Sequence, residues 1–235
     1  MTEGAHTRLG FSAIGGRKAK AEKIAAILAA AGRPLKPTDD VLDLGCGSGE
    51  IAEYLDSRAR VTCADAQDQR THGLNLPFHL VVGEMPFAPN QFDVVISNHV
   101  IEHTGDPAAH LSEIHRVLKP NGVVYLATPN RLWPWEFHAK VVLLHYLPWQ
   151  IFSRLGMALG RLHEPVRLLS LRRLRQLATA GFHVETWHQR IIQDPVRFSL
   201  KLPQMISRLL RRIPRPIVDI TAPLQPTLIV LLTPR

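Results

Sequence analysis

Cysteine is nearly absent: Cys46 and Cys63 are the two in 235 residues. Two thiols build neither a disulfide framework nor a four-cysteine zinc site, and both fall in short segments that read as buried strand or strand end, so a reducing compartment is the simplest setting. Long apolar runs are absent too. Residues 141–144 are stopped by His145, and residues 228–232 make a run of five, so no window approaches the roughly 18 apolar residues of a membrane span. The start, MTEGAHTRLGFSAIGG, has no basic stretch leading an apolar run, so no secretory signal is read and the expected location is cytoplasmic. Acid is what the second half lacks. Residues 1–130 carry 12 basic and 15 acidic side chains, a balance of −3, whereas residues 131–235 carry 16 and 5, a balance of +11.

What is present is ordinary globular composition, 46% hydrophobic and 20% charged, which excludes wholesale disorder, a collagen repeat and a coiled coil. The length suits one domain over residues 1–235 and is short for two. Along the chain short apolar segments alternate with amphipathic ones. Residues 18–31 read as a helix ended by Gly32 and Pro34, residues 41–44 as a strand, 50–55 as a helix, and 60–64, 78–82 and 92–97 as strands. Residues 106–118 place Ala108, Leu111, Ile114, Val117 and Leu118 at three- and four-residue steps, a helix, and 123–127 is a strand apolar except for Tyr125, as expected of one covered on both faces. The pattern predicts an α/β, doubly wound, Rossmann-like parallel sheet with ligands at the carboxyl ends of its strands. Residues 131–165, with Trp133, Trp135 and Trp149, interrupt the alternation as a helical lid insertion. A helix over 168–180, a strand over 182–187, a basic insertion over 189–225 and a last strand over 226–233 follow.

The turn after the first strand, in VLDLGCGSGEIA (41–52), sets Gly45, Gly47 and Gly49 at alternate positions. Glycine lets the backbone take positive φ and approach a ligand closely, which serves a phosphate or an uncharged group equally. Asp43 separates these, because a carboxylate before the loop repels phosphate and suits a cation such as an α-ammonium. Asp65, ending the second strand, stands where a carboxylate accepts both hydroxyls of a ribose. A ligand with an amino-acid end and a nucleoside end has the chemistry of S-adenosylmethionine.

Together with MPFAPNQFDVV (85–95) and HVIEHTGDPAAHLSEIHRVLKPNGVVYLATPNR (99–131), these motifs resemble the class I S-adenosylmethionine-dependent methyltransferases. The resemblance implies a seven-stranded sheet with its last strand antiparallel. It also implies Asp43 near the methionine ammonium, Gly45 and Gly47 under the ligand, Asp65 on the ribose, Glu84 and Met85 beside the adenine, and Asn98 and His99 on the sulfonium side. Cys46 and Ala66 complete the expected cofactor-binding set, with the Cys46 thiol read as a small packing residue because methyl transfer needs no thiol. Asp93, at the start of a strand, is expected to be structural.

Methyl transfer to a hydroxyl needs an aligned acceptor and a proton acceptor. His99 and His103 lie beyond the fourth strand and His138 in the lid, and these are the expected catalytic residues. His99-x-x-Glu102-His103 also sets three possible metal ligands on one turn. The same place in the ubiquinone-biosynthesis O-methyltransferases reads E-x-x-E-H, implying a divalent ion there, and His99 departs from that pattern. Metal use stays open, the plainer alternative being that Glu102 and His103 hold the loop by hydrogen bonds, and no metal ligand is assigned. TPNRLWPWEFHAKVVLLHYLP (128–148) resembles the insert of bacterial methyltransferases of polysaccharide and lipid-linked glycan assembly, and its mixture of polar and aromatic residues suits an amphipathic substrate. In residues 204–213 one face carries Met205, Ile206, Leu209, Leu210 and Ile213 and the other Arg208, Arg211 and Arg212, a helix suited to an anionic membrane surface or to core packing with a solvated basic face.

The function expected is S-adenosylmethionine-dependent methylation, at oxygen before nitrogen or carbon, of a small or lipid-linked acceptor, with peripheral contact at the inner membrane face. Rival readings are an RNA methyltransferase and a non-catalytic cofactor-binding assembly protein. Nucleic acid is the poorer partner, since the basic residues alternate with Leu, Ile and Pro instead of lying in polar stretches with exposed aromatics.

Overall fold

The computed structural model describes residues 16–70, 73–200 and 225–235, together with Met205 and Arg212. Among the described residues nine strands and six α-helices follow in the order α1 (Gly16–Ala30), β1 (Asp40–Leu44), α2 (Glu50–Asp56), β2 (Arg60–Asp65), β3 (Phe78–Leu80), β4 (Phe92–Asn98), α3 (Pro107–Val117), β5 (Leu118–Pro129), β6 (Trp135–Glu136), β7 (Val141–Val142), α4 (Trp149–Ala158), α5 (Leu171–Ala178), β8 (Phe182–Thr186), α6 (His188–Gln193) and β9 (Thr227–Pro234). Seven strands form one sheet in the order β3-β2-β1-β4-β5-β9-β8. The first five run parallel, and β9 lies antiparallel between β5 and β8, as the resemblance implies.

Period two along the strands divides the core. Val41, Val94, Ile96, Val123 and Tyr125 face α1 and α2 on one side, with Ile24, Ile27, Leu28 and Leu55. Leu42, Leu44, Val95, Val124 and Leu126 face α3 and α5 on the other, with Leu111, Ile114, Leu171 and Leu174. Residues 123–127 of β5 are 0–1% exposed, which explains a strand with no polar alternation. Burying each such Val, Ile or Leu side chain contributes about 1.5–3 kcal/mol.

Boundaries shift where packing overrides pattern. β3 ends at Leu80, because Leu80 and Val82 at the sheet edge are exposed. β5 begins at Leu118, five residues earlier than its apolar run, since Leu118 already pairs with Phe92 and a register shift between Phe92 and Val94 absorbs the extra residues. α3 begins where the chain asks it to: the Asp106 carboxylate accepts from the Ala108 and Ala109 amides, and Pro107 fills the first helical position. The lid is less helical than expected. It comprises the β6–β7 hairpin, a single-turn helix over Leu144–Tyr146 and α4, around its own small core of Ala139, Phe152, Leu162, Val166 and Leu168. Of the basic insertion, α6 and residues 194–200 are described. The amphipathic helix expected over 204–213 lies outside the described residues, apart from Met205 and Arg212 as isolated positions.

Asp93 ties three strands together at the end of the sheet opposite the loops. Its carboxylate accepts from the Asp40 amide at 2.9 Å and from the Lys119 ammonium at 2.6 Å, and Lys119 also reaches Asp40. Partial burial opposes the charge, but these donors hold its pKa below the ordinary aspartate value. A depressed pKa contributes stability above about pH 4 that is lost as pH falls through the folded-state value. Asp93→Ala is therefore expected to cost about 1–2 kcal/mol of unfolding free energy at pH 7, and less below pH 4, in denaturant titrations.

Candidate active site

The loops after β1, β2 and β4 converge at the carboxyl edge of the sheet, because β1 pairs with both β2 and β4 and the three strands end together. Gly45, Gly47 and Gly49 all have positive φ, +74°, +55° and +80°. The loop is pinned to β2 by amides of Gly45 and Cys46 that donate to the Ala64 carbonyl, and by the Gly47 amide, which donates to Asp65 Oδ2 at 2.8 Å. Space is as restrictive as dihedral angle: a Cβ on Gly45 would lie 2.3 Å from Val100 Cγ2, and one on Gly49 2.3 Å from Leu74 Cδ2. The glycine loop and the loop after β4 are thus in contact.

Asp43 is buried, and its Oδ2 has no hydrogen-bond partner among the described residues. Burial, then the nearby Asp65 charge, push its pKa up to about 7, opposed by the Ala52 amide and the Arg17 guanidinium. A half-satisfied carboxylate under a close-approach loop is what a cationic ligand group would complete, so the residues present fit the ammonium end of S-adenosylmethionine. Asp65 keeps its second oxygen toward the Gln67 amide, at 3.4 Å, at the rim beside exposed Ala66. Cys46 is buried against Cys63, and that hydrogen bond, with burial, raises its thiol pKa well above the usual range, so no thiolate nucleophile is set here.

Two features of this cradle escaped the sequence. Arg17, at the start of α1, sits over the loop, its Nη1 3.2 Å from where a Gly47 Cβ would be and its Nε 3.8 Å from Glu50. No local pattern marks it, since it lies thirty residues away. The loop holding Glu84 and Met85 is clamped by an i,i+3 pair on α3. Glu113 accepts from the Met85 amide, and Arg116 donates to the Met85 and Phe87 carbonyls and to Glu113. That spacing was visible, though not its target. Glu84 is exposed, whereas the Met85 side chain packs into the core with Phe87.

Beyond β4, Asn98 ends the strand and His99 takes φ +62°, unusual for a non-glycine residue and a mark of functional sites. A short helical turn, Ile101–His103, follows. Glu102 is fully buried; its Oε2 accepts from Thr128 Oγ1 at 2.9 Å, while its Oε1 faces His99 Nδ1 at 3.3 Å and His103 Nε2 at 4.0 Å. His138 comes from the lid to meet this turn. Its ring stands edge to face with that of His103, centroids 5.2 Å apart, and its Nδ1 lies 2.6 Å from Glu136 Oε1. Burial opposes charge on both partners, yet each sustains the other: Glu136 is held below the ordinary glutamate pKa and His138 above the ordinary histidine value. His99, His103 and His138 are thus gathered at one place, across 39 residues of chain.

Comparison with known proteins identifies the family and the fold. The family described as "Methyltransferase domain" matches residues 16–186. A ubiquinone biosynthesis O-methyltransferase of Parvibaculum lavamentivorans is 32% identical over 130 residues, 50% of this chain and 51% of that protein, so the chain spans about half the length of this curated relative. An S-adenosylmethionine-dependent methyltransferase of Mesorhizobium loti shares the fold with a TM-score of 0.58 at 17% identity, covering 91% of this chain and 100% of that one. The phosphoethanolamine N-methyltransferase 2 of Haemonchus contortus, solved with S-adenosyl-L-methionine, gives 0.55 at 20% identity over 91% of this chain and 52% of that one.

Proposed function

The chain belongs to the methyltransferase domain family, whose methyl donor is S-adenosyl-L-methionine, and from that premise we propose that it methylates a hydroxyl of a small amphipathic acceptor, with His99 as the proton acceptor. The observation that carries this is the buried Glu102 carboxylate 3.3 Å from His99 Nδ1, at the end of β4 and against the glycine loop. An imidazole whose Nδ1 is held by a buried carboxylate keeps Nε2 as the basic atom, and its orientation is fixed by the loop. When bound, S-adenosylmethionine supplies a methyl group already activated by the sulfonium. What this chain adds is alignment and proton removal. Asp43 takes the ammonium end, Asp65 the ribose hydroxyls, the glycine loop gives close approach, and the Glu84–Met85 loop, braced by Arg116, closes beside the base of the nucleoside. His103 and His138 line the acceptor side.

The lid supports an amphipathic acceptor. Trp135, Val142, Leu143, Ile151 and Leu155 are exposed, and of the two acids in residues 131–165 Glu136 is buried while Glu164 lies exposed beside His103. The sequence similarity to a protein named for ubiquinone biosynthesis and O-methylation favours oxygen as the acceptor atom.

The test is to present the purified protein with S-adenosylmethionine and matched amphipathic phenols and amines. Methyl ether is the expected product, and His99→Ala is expected to lower kcat at least 100-fold, far more than it weakens cofactor binding. Asp65→Ala should weaken cofactor binding at least tenfold by calorimetry. Methylation of the amine alone, or of RNA with a steep salt dependence, would overturn the assignment.

A further inference from the structure

We infer that Glu102, His103 and the lid residue His138 form a binding site for a divalent first-row transition ion of the Zn²⁺ class, with the lid supplying the third ligand. One ligand atom from each of the three lies within 4.8 Å of the others, close enough for one ion to reach all three with small side-chain adjustments. The set differs from the one that the likeness to E-x-x-E-H would place on a single turn, because position 99 here is histidine and is not among the three.

Each ligand is held from behind. Glu102 is fully buried and spends Oε2 on Thr128, leaving Oε1 turned to the imidazoles, 3.3 Å from His99 Nδ1 and 4.0 Å from His103 Nε2. His138 Nδ1 is engaged by Glu136 at 2.6 Å, which leaves Nε2 as the ligating atom. His103 Nδ1 lies 3.0 Å from Glu164 Oε1, and its Nε2 is the atom turned to Glu102. A carboxylate behind each ligating imidazole is the usual outer shell of a metal site, since it fixes the tautomer and raises ligand basicity. Glu136 in turn accepts from the His138 and Ala139 amides, so the chain around it is shaped to hold that carboxylate in place.

Charge points the same way. Glu102 and Glu136 are both buried, and the ion pairs that the described residues give them are with imidazoles alone. With Glu164, three carboxylates surround two ligating imidazoles, a surplus of negative charge that a dication neutralises. Two nitrogens and one oxygen suit Zn²⁺, Co²⁺ or Mn²⁺ better than Mg²⁺, which asks for oxygen ligands and water. An entry path exists: a cavity of about 200 Å³ borders His103 and Glu164 and is also lined by Thr104, Trp149 and Arg167.

Ion binding itself does not depend on the acceptor proposed above. Its use does: an ion there would polarise the acceptor oxygen and leave His99 to take the proton. The test is titration of chelator-stripped protein with Zn²⁺ by calorimetry and with Co²⁺ by visible absorption, with S-adenosylhomocysteine binding measured in parallel. Expected are one Zn²⁺ per chain at micromolar affinity or tighter, at least 100-fold preference over Mg²⁺, and a Co²⁺ spectrum of nitrogen coordination. His138→Gln and His103→Ala should each weaken Zn²⁺ at least tenfold, Glu136→Gln several-fold, and His99→Ala less than threefold. Zn²⁺ should also slow proteolysis within residues 131–165. Wild-type protein that binds S-adenosylhomocysteine but neither ion overturns the inference, as does Zn²⁺ affinity unchanged in both His138→Gln and His103→Ala. Zn²⁺ binding without S-adenosylhomocysteine binding would instead count against the methyl-transfer assignment and leave the metal site standing.

Discussion

Asp43→Asn is expected to weaken S-adenosylmethionine binding at least 100-fold at pH 8 while leaving the ligand-free protein as stable as the wild type or more so. Both effects come from one carboxylate. Asp43 is buried with Oδ2 unsatisfied and a pKa pushed up to about 7 by burial and by Asp65. A folded-state pKa above the unfolded value of 3.8 means that the native protein binds the extra proton between those limits. Unfolding free energy attributable to this group therefore falls as pH rises from about 4 to 7, and stays low above that. A shift of this size corresponds to a ceiling of about 4 kcal/mol, reduced in the isostere by the amide's own unpaired atoms. Thermal denaturation of the ligand-free proteins at pH 5 and pH 8 separates the cases: the drop in Tm from pH 5 to pH 8 should be smaller in Asp43→Asn. Calorimetry supplies the other half, because the neutral amide no longer compensates the ligand's ammonium. A variant that loses stability at pH 8 and retains cofactor affinity would remove Asp43 from the binding site.

Gly45→Ala is the second large effect, and it is steric. At φ +74° an L-side chain costs about 1–2 kcal/mol, and the new Cβ would stand 2.3 Å from Val100 Cγ2. Val100 precedes the turn that carries Glu102 and His103, so relief of the clash moves the acceptor side as well as the cofactor loop. The expected loss is about 2–4 kcal/mol in denaturant titration, together with cofactor binding too weak to measure by calorimetry. Gly32→Ala is the control, because Gly32 has φ +78° with nothing within 4 Å of its would-be Cβ, and pays only the dihedral strain. Val100→Ala in the Gly45→Ala background should restore part of the stability. Equal losses in Gly45→Ala and Gly32→Ala would show that the contact with Val100 carries no weight.

How much was legible follows from how far apart the determining residues lie. The strands of β1, β2, β4 and β5 and the helix α3 were readable because their signals are local: apolar runs, three- and four-residue steps, a capping Asp106 before Pro107. The cofactor loop was readable because a left-handed glycine turn and the acid ahead of it fit within seven residues. The end of β3 and the start of β5 were not, because edge exposure and the register shift at Phe92 depend on neighbours. The lid's β6–β7 hairpin was not legible, because the lid closes around a small separate core, Phe152 among its members, whose residues lie up to 29 positions apart.

The amino-acid sequence by itself determined the strands β1, β2 and β4, the helix α3, the glycine loop and the acid ahead of it, since each is written in contiguous residues whose period or backbone freedom admits one local outcome. Tertiary structure alone decided that Arg17 covers the loop, that Arg116 braces the loop of Met85 and Phe87, and that His138 reaches Glu102 and His103. Those contacts join residues 29 or more positions apart, and no local rule specifies them; only the packing of α1, α3 and the lid against the sheet brings their charges within a few ångströms.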